Sequence, residues 1–243
     1  MVVMVHGITS SRDELGLFSG FAPHLAQAGL PSFRFDYRCH GVNEAPIELL
    51  TLAGIVNDIE AAAAFASGLA GASRVHVVGM SFGGGLSAYW AASTKLRVGS
   101  VTMLAPVIDY EEDVLGQHGL LRDGVLRDKA RRRLDEHGFL ETGGINYGGP
   151  LLNELPHISG ISGLKRLRCK ALIVHGDADS VVPYASSKRF AKLAARCRLV
   201  NIPGTDHGFG VPGDEDLSSP ETKAKHRKVY DIVTTFMTGS SVQ

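Results

Sequence analysis

Residues 75–92 place the tightest constraint on what this chain can fold into. The apolar run Val75-His76-Val77-Val78 leads straight into Gly79-Met80-Ser81-Phe82-Gly83, followed by Gly84, Gly85 and the helix-like Leu86-Ser87-Ala88-Tyr89-Trp90-Ala91-Ala92. This reads as a buried strand that turns abruptly into a helix. Such a turn strains its middle residue and exposes that side chain at the edge of the sheet. Small residues two positions before and after it let the backbones pass without collision. The Ser81 hydroxyl then stands at a helix N-terminus, where main-chain N–H groups can stabilise a nearby oxyanion. A tight turn with an incidental serine is the plainer alternative. Motif and context together favour Ser81 as a nucleophile.

The remaining chain repeats the strand–helix alternation. Residues 1–5 form a short apolar strand, and residues 15–28 carry apolar side chains at helical spacing up to Gly29. Residues 30–37 read as a strand, 49–69 as an alanine-rich helix and 98–105 as the strand after the elbow. Two more apolar runs, 171–176 and 198–202, complete the set. Apolar strands alternating with helices predict an α/β fold, a mostly parallel sheet with helices on both faces. With 44% hydrophobic residues in 243, the chain can fill the core of one such domain, residues 1–243.

A serine nucleophile needs a base, and the base needs an orienting group. The strand 171–176 ends in Asp177-Ala178-Asp179-Ser180-Val181-Val182-Pro183, and the strand 198–202 runs into Pro203-Gly204-Thr205-Asp206-His207-Gly208-Phe209. Serine, acid and histidine thus follow one another in chain order, each beyond a strand. In this order and in its elbow the chain resembles the α/β-hydrolase superfamily, and in particular its feruloyl/cinnamoyl esterase and acylglycerol lipase-like branch. The resemblance implies that the acid is Asp179, within H-G-x-x-D-x-x-V-P, and that the base is His207. Asp177 is the runner-up acid. It further implies that the amides of Ile8, after the His6-Gly7 pair, and of Phe82, after the nucleophile, form an oxyanion hole. His6 itself is expected to hold its loop by a hydrogen bond.

Two departures from the rhythm are informative. Similar hydrolases usually have two strands before the one ending in His-Gly, so the expected fold lacks the usual first two strands. The strand around residues 32–37 would then be an exposed apolar edge, and such an edge invites a partner, here a homodimer. Between residues 107 and 160 the alternation stops. A connection of that length inside a compact domain usually serves function, and here it is expected to be an inserted lid over the acyl pocket. Asp109 and Tyr110, which open it, are the candidate polar substrate contacts, with helix capping the simpler role for Asp109. The charged run 127–137 suits a solvent-facing helix.

Zero formal net charge argues against an electrostatic nucleic-acid partner. No apolar run is expected to supply the roughly 20 residues of a membrane span. A strand beginning at Met1 leaves no expected secretory signal, and three cysteines without a CxxC pair suit free thiols, so a cytoplasmic protein is expected. The ten histidines show no H-x-x-x-H pair or Cys/His cluster, so no metal is expected, and the chemistry implied requires no cofactor. Asp206 is expected to point away from the histidine ring, Cys39 to lie outside the chemistry, and Trp90 to be core. The expected function is serine-dependent hydrolysis of a carboxylic ester or thioester in a small acyl substrate, through an acyl-enzyme on Ser81. Two alternatives stay open: an acyl-transferring or cyclising thioesterase-like enzyme, and a non-catalytic binding module on the same fold.

Overall fold

In the computed structural model, which describes residues 1–239, six parallel strands form one sheet in the order β10-β9-β4-β3-β1-β2. In chain order the first half comprises β1 (Val2–Val5), α1 (Leu17–Gln27), β2 (Ser32–Arg34), α2 (Leu52–Ala70), β3 (Val75–Met80), α3 (Phe82–Ser93) and β4 (Val98–Leu104). After a long insertion the rhythm resumes with β9 (Lys170–Gly176), α7 (Tyr184–Phe190), β10 (Cys197–Ile202) and α8 (Pro220–Thr238). The α/β arrangement expected from the sequence is the one found.

The period of two along each strand divides the core into two layers. Val3, Val5, Val77, Val101 and Ile173 face α2 and α3, where they meet Ile55, Ile59, Leu86 and Trp90. Their neighbours Val2, Met4, Val78, Leu172 and Val174 face α1 and α8, against Phe18, Phe21, Val229 and Val233. Both faces are covered, which is why the central strands read as continuous apolar runs. The helices start where the sequence signals them. Thr51 Oγ1 accepts from Gly54 N at 3.0 Å before α2, and Ser219 Oγ accepts from Thr222 N at 3.1 Å before α8, caps worth about 1 kcal/mol each.

Two expectations need correction. The strand expected over 30–37 pairs with β1 only at Ser32, Phe33 and Arg34. Beyond them the backbone is used elsewhere, because Tyr37 N donates to the His6 ring and Asp36 accepts from Arg12 N and Val42 N. β2 is indeed the edge strand of the sheet. The second correction concerns α2, whose 19 residues and mean hydropathy of 1.2 make it long and apolar enough to cross a bilayer. Its face carrying Leu52, Ile55, Ile59, Ala63 and Ala66 is nevertheless packed in the core.

Residues 107–160 form a layer of short elements beyond the C-terminal end of β4. A π-helical turn (Glu112–Gly116) leads to the hairpin β5 (Leu121–Arg122) and β6 (Val125–Leu126). Then come α4 (Asp128–His137), the hairpin β7 (Phe139–Thr142) and β8 (Ile145–Gly148), α5 (Gly149–Glu154) and finally α6 (Gly160–Arg166). Of the ten residues of α4 only Ala130 is buried, as its run of charges suggests.

Candidate active site

The turn from β3 into α3 has the strain that its sequence predicts. Ser81 sits at φ 50°, ψ −119°, a conformation costing about 1–3 kcal/mol for a residue with a Cβ. The flanking glycines are sterically required. A Cβ on Gly79 would lie 2.4 Å from the Gly83 carbonyl oxygen, and one on Gly83 would lie 2.5 Å from that of His6. The turn is fixed to its neighbours by Ser81 N donating to Leu104 O at 2.8 Å and Val107 N donating to Ser81 O at 3.0 Å.

Residues far apart in sequence converge on the Ser81 hydroxyl. His207 Nε2 lies 2.9 Å from Ser81 Oγ, and His207 Nδ1 lies 2.8 Å from Asp179 Oδ2. The Asp179 side chain is fully buried, which alone would raise its pKa. Hydrogen bonds from His175 and His207 outweigh that effect and hold the carboxyl well below its ordinary range. Oδ1 accepts from Val181 N and Val182 N at 2.9 and 2.8 Å. The buried His175 supports the same carboxylate, with Nε2 2.9 Å from Oδ2 and Nδ1 2.7 Å from Ser187 Oγ. An imidazole with Nδ1–H on a carboxylate and Nε2 free to accept is the tautomer that can take a serine proton.

The other acids near His207 brace the loops. Asp177 accepts from Asn201 Nδ2 at 2.8 Å and Gly204 N at 2.7 Å, so it holds the turn after β10. Asp206 accepts from the backbone N–H of His207 and from Ser180 N, both at 2.8 Å, and from Ser180 Oγ, so its carboxylate is spent on the loop and not on the His207 ring.

The loop after β1 is held by neutral histidines. Burial lowers the His6 pKa to about 4; its Nδ1–H donates to Gly7 O at 2.7 Å, and its ring stacks on Tyr37 at 3.9 Å. His40 Nε2 accepts from Thr9 N at 2.9 Å. Glu14, buried and with its pKa raised by that burial, accepts from Gly7 N at 2.5 Å. Beyond these contacts, Ile8 lines the same cavity as Ser81 and Phe82. Among the described residues neither the Ile8 nor the Phe82 amide has a protein acceptor.

That cavity, of about 200 Å³, is walled by Val107 and Val182 from the core and by Asp113, Gln117, His118 and Tyr147 from the insertion. Burial pushes the Asp113 carboxyl up to about 6. The substrate contacts expected at Asp109 and Tyr110 are not found in its wall. Tyr110 is fully buried and its hydroxyl donates to Phe82 O at 2.5 Å, supporting the elbow from beneath. Asp109 accepts from Glu112 N at 3.3 Å and faces Arg189 at 3.7 Å in a neighbouring cavity, so its capping role prevails. Sequence reading missed Asp113, Glu14, His40 and the role of His175. Asp113 lies only four residues beyond Asp109, but which of the acids in that run turns inward depends on the π-helical turn. Trp90 is core, with Nε1 donating to Glu60 Oε2 at 2.6 Å. Among the described residues no group of three or more His, Cys, Asp or Glu is placed to hold a metal ion.

Comparison with known proteins agrees with this architecture. Est1E from Butyrivibrio proteoclasticus, solved with ferulic acid bound, superposes with a TM-score of 0.72 at 24% identity, over 96% of this chain and 88% of that one. Alpha/beta hydrolase domain-containing protein 10 from mouse gives 0.71 at 16% identity, over 97% and 90%. The monoacylglycerol lipase of Paleococcus ferrophilus gives 0.65 at 17% identity, over 96% and 93%. No curated protein matches the chain. The alpha/beta hydrolase fold family matches residues 1–135, which is more than half of the sequence. The chain therefore belongs to the alpha/beta hydrolase fold family.

Proposed function

We propose that this protein is a serine hydrolase that cleaves a carboxylic ester through an acyl-enzyme on Ser81. The observation that carries the reading is the continuous hydrogen-bond chain from Ser81 Oγ through His207 to the buried Asp179 carboxylate, 2.9 and 2.8 Å long. As Ser81 Oγ bonds to the ester carbon, its proton passes to His207 Nε2, and Asp179 stabilises the imidazolium. The Ile8 and Phe82 amides receive the oxyanion. When the carbon–oxygen bond to the alcohol breaks, His207 returns its proton to the leaving oxygen. Water then gives a proton to His207 as its oxygen bonds to the acyl carbon; the bond from that carbon to Ser81 Oγ breaks, His207 passes the proton to Oγ, and the acid leaves.

The wall of the adjoining cavity suggests the acyl group. Its lining combines the polar residues Asp113, Gln117 and Tyr147 with the apolar Ile8, Val107 and Val182. A flat apolar acyl group ending in a hydrogen-bond donor fits such a pocket, and a hydroxycinnamoyl group has that form. The ferulic acid bound to the similar fold of Est1E supports this choice. Labelling with a fluorophosphonate followed by peptide mass mapping tests the nucleophile. The adduct should fall on Ser81, and Ser81→Ala should lose about 10⁴-fold or more in kcat on aryl esters. An adduct elsewhere, or an active Ser81→Ala variant, would overturn the proposal.

A further inference from the structure

Two cavities meet at the Ser81–His207 pair. The first contains Ile8, Ser81 and Phe82 and is walled by the insertion. The second, of about 270 Å³, has His207 in its wall and is built from residues 14–17 and the loop 206–217. Val181, more than half exposed, lines both. The second cavity has apolar walls, chiefly Leu15, Leu17, Met80 and Leu217. Apart from His207, its ionisable residues are all acids: Glu14, Asp206, Asp214 and Glu215. Among the described residues none of these four has an ion-pair partner. Asp206 and Asp214 accept backbone hydrogen bonds, from Ser180 and His207 and from Ser218 and Ser219 respectively, which favours their ionised forms.

The chemistry assigns a different end of an ester to each cavity. The carbonyl oxygen must turn to the Ile8 and Phe82 amides, while the leaving oxygen must face the His207 nitrogen that protonates it. The acyl end therefore occupies the cavity that holds those amides, and the alcohol end runs into the cavity that His207 borders. We propose that this second cavity is the leaving-group site, and that it accepts an apolar alcohol, neutral or cationic, while rejecting anionic leaving groups such as coenzyme A or a hydroxy acid. The inference rests on Ser81 forming the acyl-enzyme. Its electrostatic basis is that the four carboxylates lining this cavity share one sign and together repel an anion entering it.

Propionate esters of 3-methylbutanol, choline and glycolate, hydrolysed by the whole chain, test it with one acyl group and three charges. The glycolate ester should show a kcat/KM about tenfold or more below the other two at low salt, with the gap narrowing as ionic strength rises. Glu215 is exposed, and Glu215→Lys should raise glycolate ester cleavage and lower choline ester cleavage, each by roughly twofold to fivefold. That variant should leave the ranking of different acyl groups on one alcohol as it is. Cleavage that requires Ser81 but ignores the charge of the alcohol would overturn this inference alone. Failure of the wild type to cleave any ester, or full activity in Ser81→Ala, would overturn it together with the proposed function.

Discussion

Asp179 takes hydrogen bonds on both oxygens, from two ring nitrogens and two backbone amides, whereas Asp177, two residues earlier, is used up on the turn after β10. Asp179→Asn should therefore lower kcat by about 10⁴-fold, because the amide no longer fixes the required His207 tautomer. Asp177→Asn should stay near wild type. The reverse result in steady-state kinetics would move the acid to Asp177. His175 is a positioning residue, since it touches Asp179 and lies away from Ser81. Removing its bond with His175→Gln should cost about 1–3 kcal/mol in urea unfolding and affect kcat less than Asp179→Asn does. A variant with unchanged stability would mean that the bond contributes nothing. At this scale Ser81, Asp179 and His207 were legible in the sequence because each lies in a short motif at the end of a strand. His175 lies within one of those motifs, yet its role depends on Ser187 approaching from α7. His40 acts on Thr9 from 31 residues away and Glu14 on Gly7 from across its own loop, and no short motif encodes either contact.

The elbow joining β3 and α3 is the element that sequence describes best, because the five-residue motif Gly79–Gly83 carries its own steric signature: a Cβ on Gly79 would meet Gly83 O, and one on Gly83 would meet the adjoining β1. The insertion is described worst. Its length and the exposed helix α4 were legible, but its hairpins have only two and four residues per strand, too short for a period-two pattern to declare itself. The inward turn of Asp113 was hidden because it depends on the π-helical turn Glu112–Gly116, which has no sequence period of its own. Because His118, Thr142, Gly143 and Ile145 are among the residues lining the cavity beside Ser81, replacing residues 118–146 by a short loop should change the ranking of acyl groups far more than turnover of p-nitrophenyl acetate. A folded variant that keeps the original ranking would place specificity in the core loops alone. The edge strand β2 carries a related expectation. Phe33 lies within it and Phe35 just beyond, and the ring of the exposed Phe65 of α2 is 5.7 Å from that of Phe33, so an apolar patch borders the open edge. Only three residues of that edge pair with β1, which limits its value as a strand template. Sedimentation velocity at micromolar concentration should detect a dimer weakened by Phe65→Glu if the edge associates, and a lone monomer species would retire that expectation.

Across the whole molecule, the parallel sheet brings Ser81 and His207, 126 residues apart, to hydrogen-bonding distance at one end. The same burial that shapes this end sets opposing responses to acid. His6 has a folded pKa of about 4 against 6.5 unfolded, so the folded state binds fewer protons between those values. Its contribution is complete above pH 6.5 and is lost as pH falls towards 4, up to about 3 kcal/mol. His76, also lowered to about 4 by burial, acts in the same direction. Asp113 acts in the opposite one. Its folded pKa of about 6 exceeds the unfolded 3.8, so the folded state binds more protons, and its burial costs up to about 3 kcal/mol above pH 6 that disappears as pH falls to 3.8. Asp179, held low by its histidine partners, begins to withdraw its contribution only below pH 3.8. Acidification from pH 7 to 4 thus removes stability at His6 and His76 while restoring some at Asp113. Asp113→Asn should be more stable than wild type at pH 7, lose stability more steeply between pH 6 and 4, and converge with wild type near pH 4. Urea midpoints at pH 7, 5 and 4 check this directly. Parallel curves for the two proteins would show that Asp113 ionises in the folded state as freely as in the unfolded chain, and its cavity would then be wetter than its walls imply.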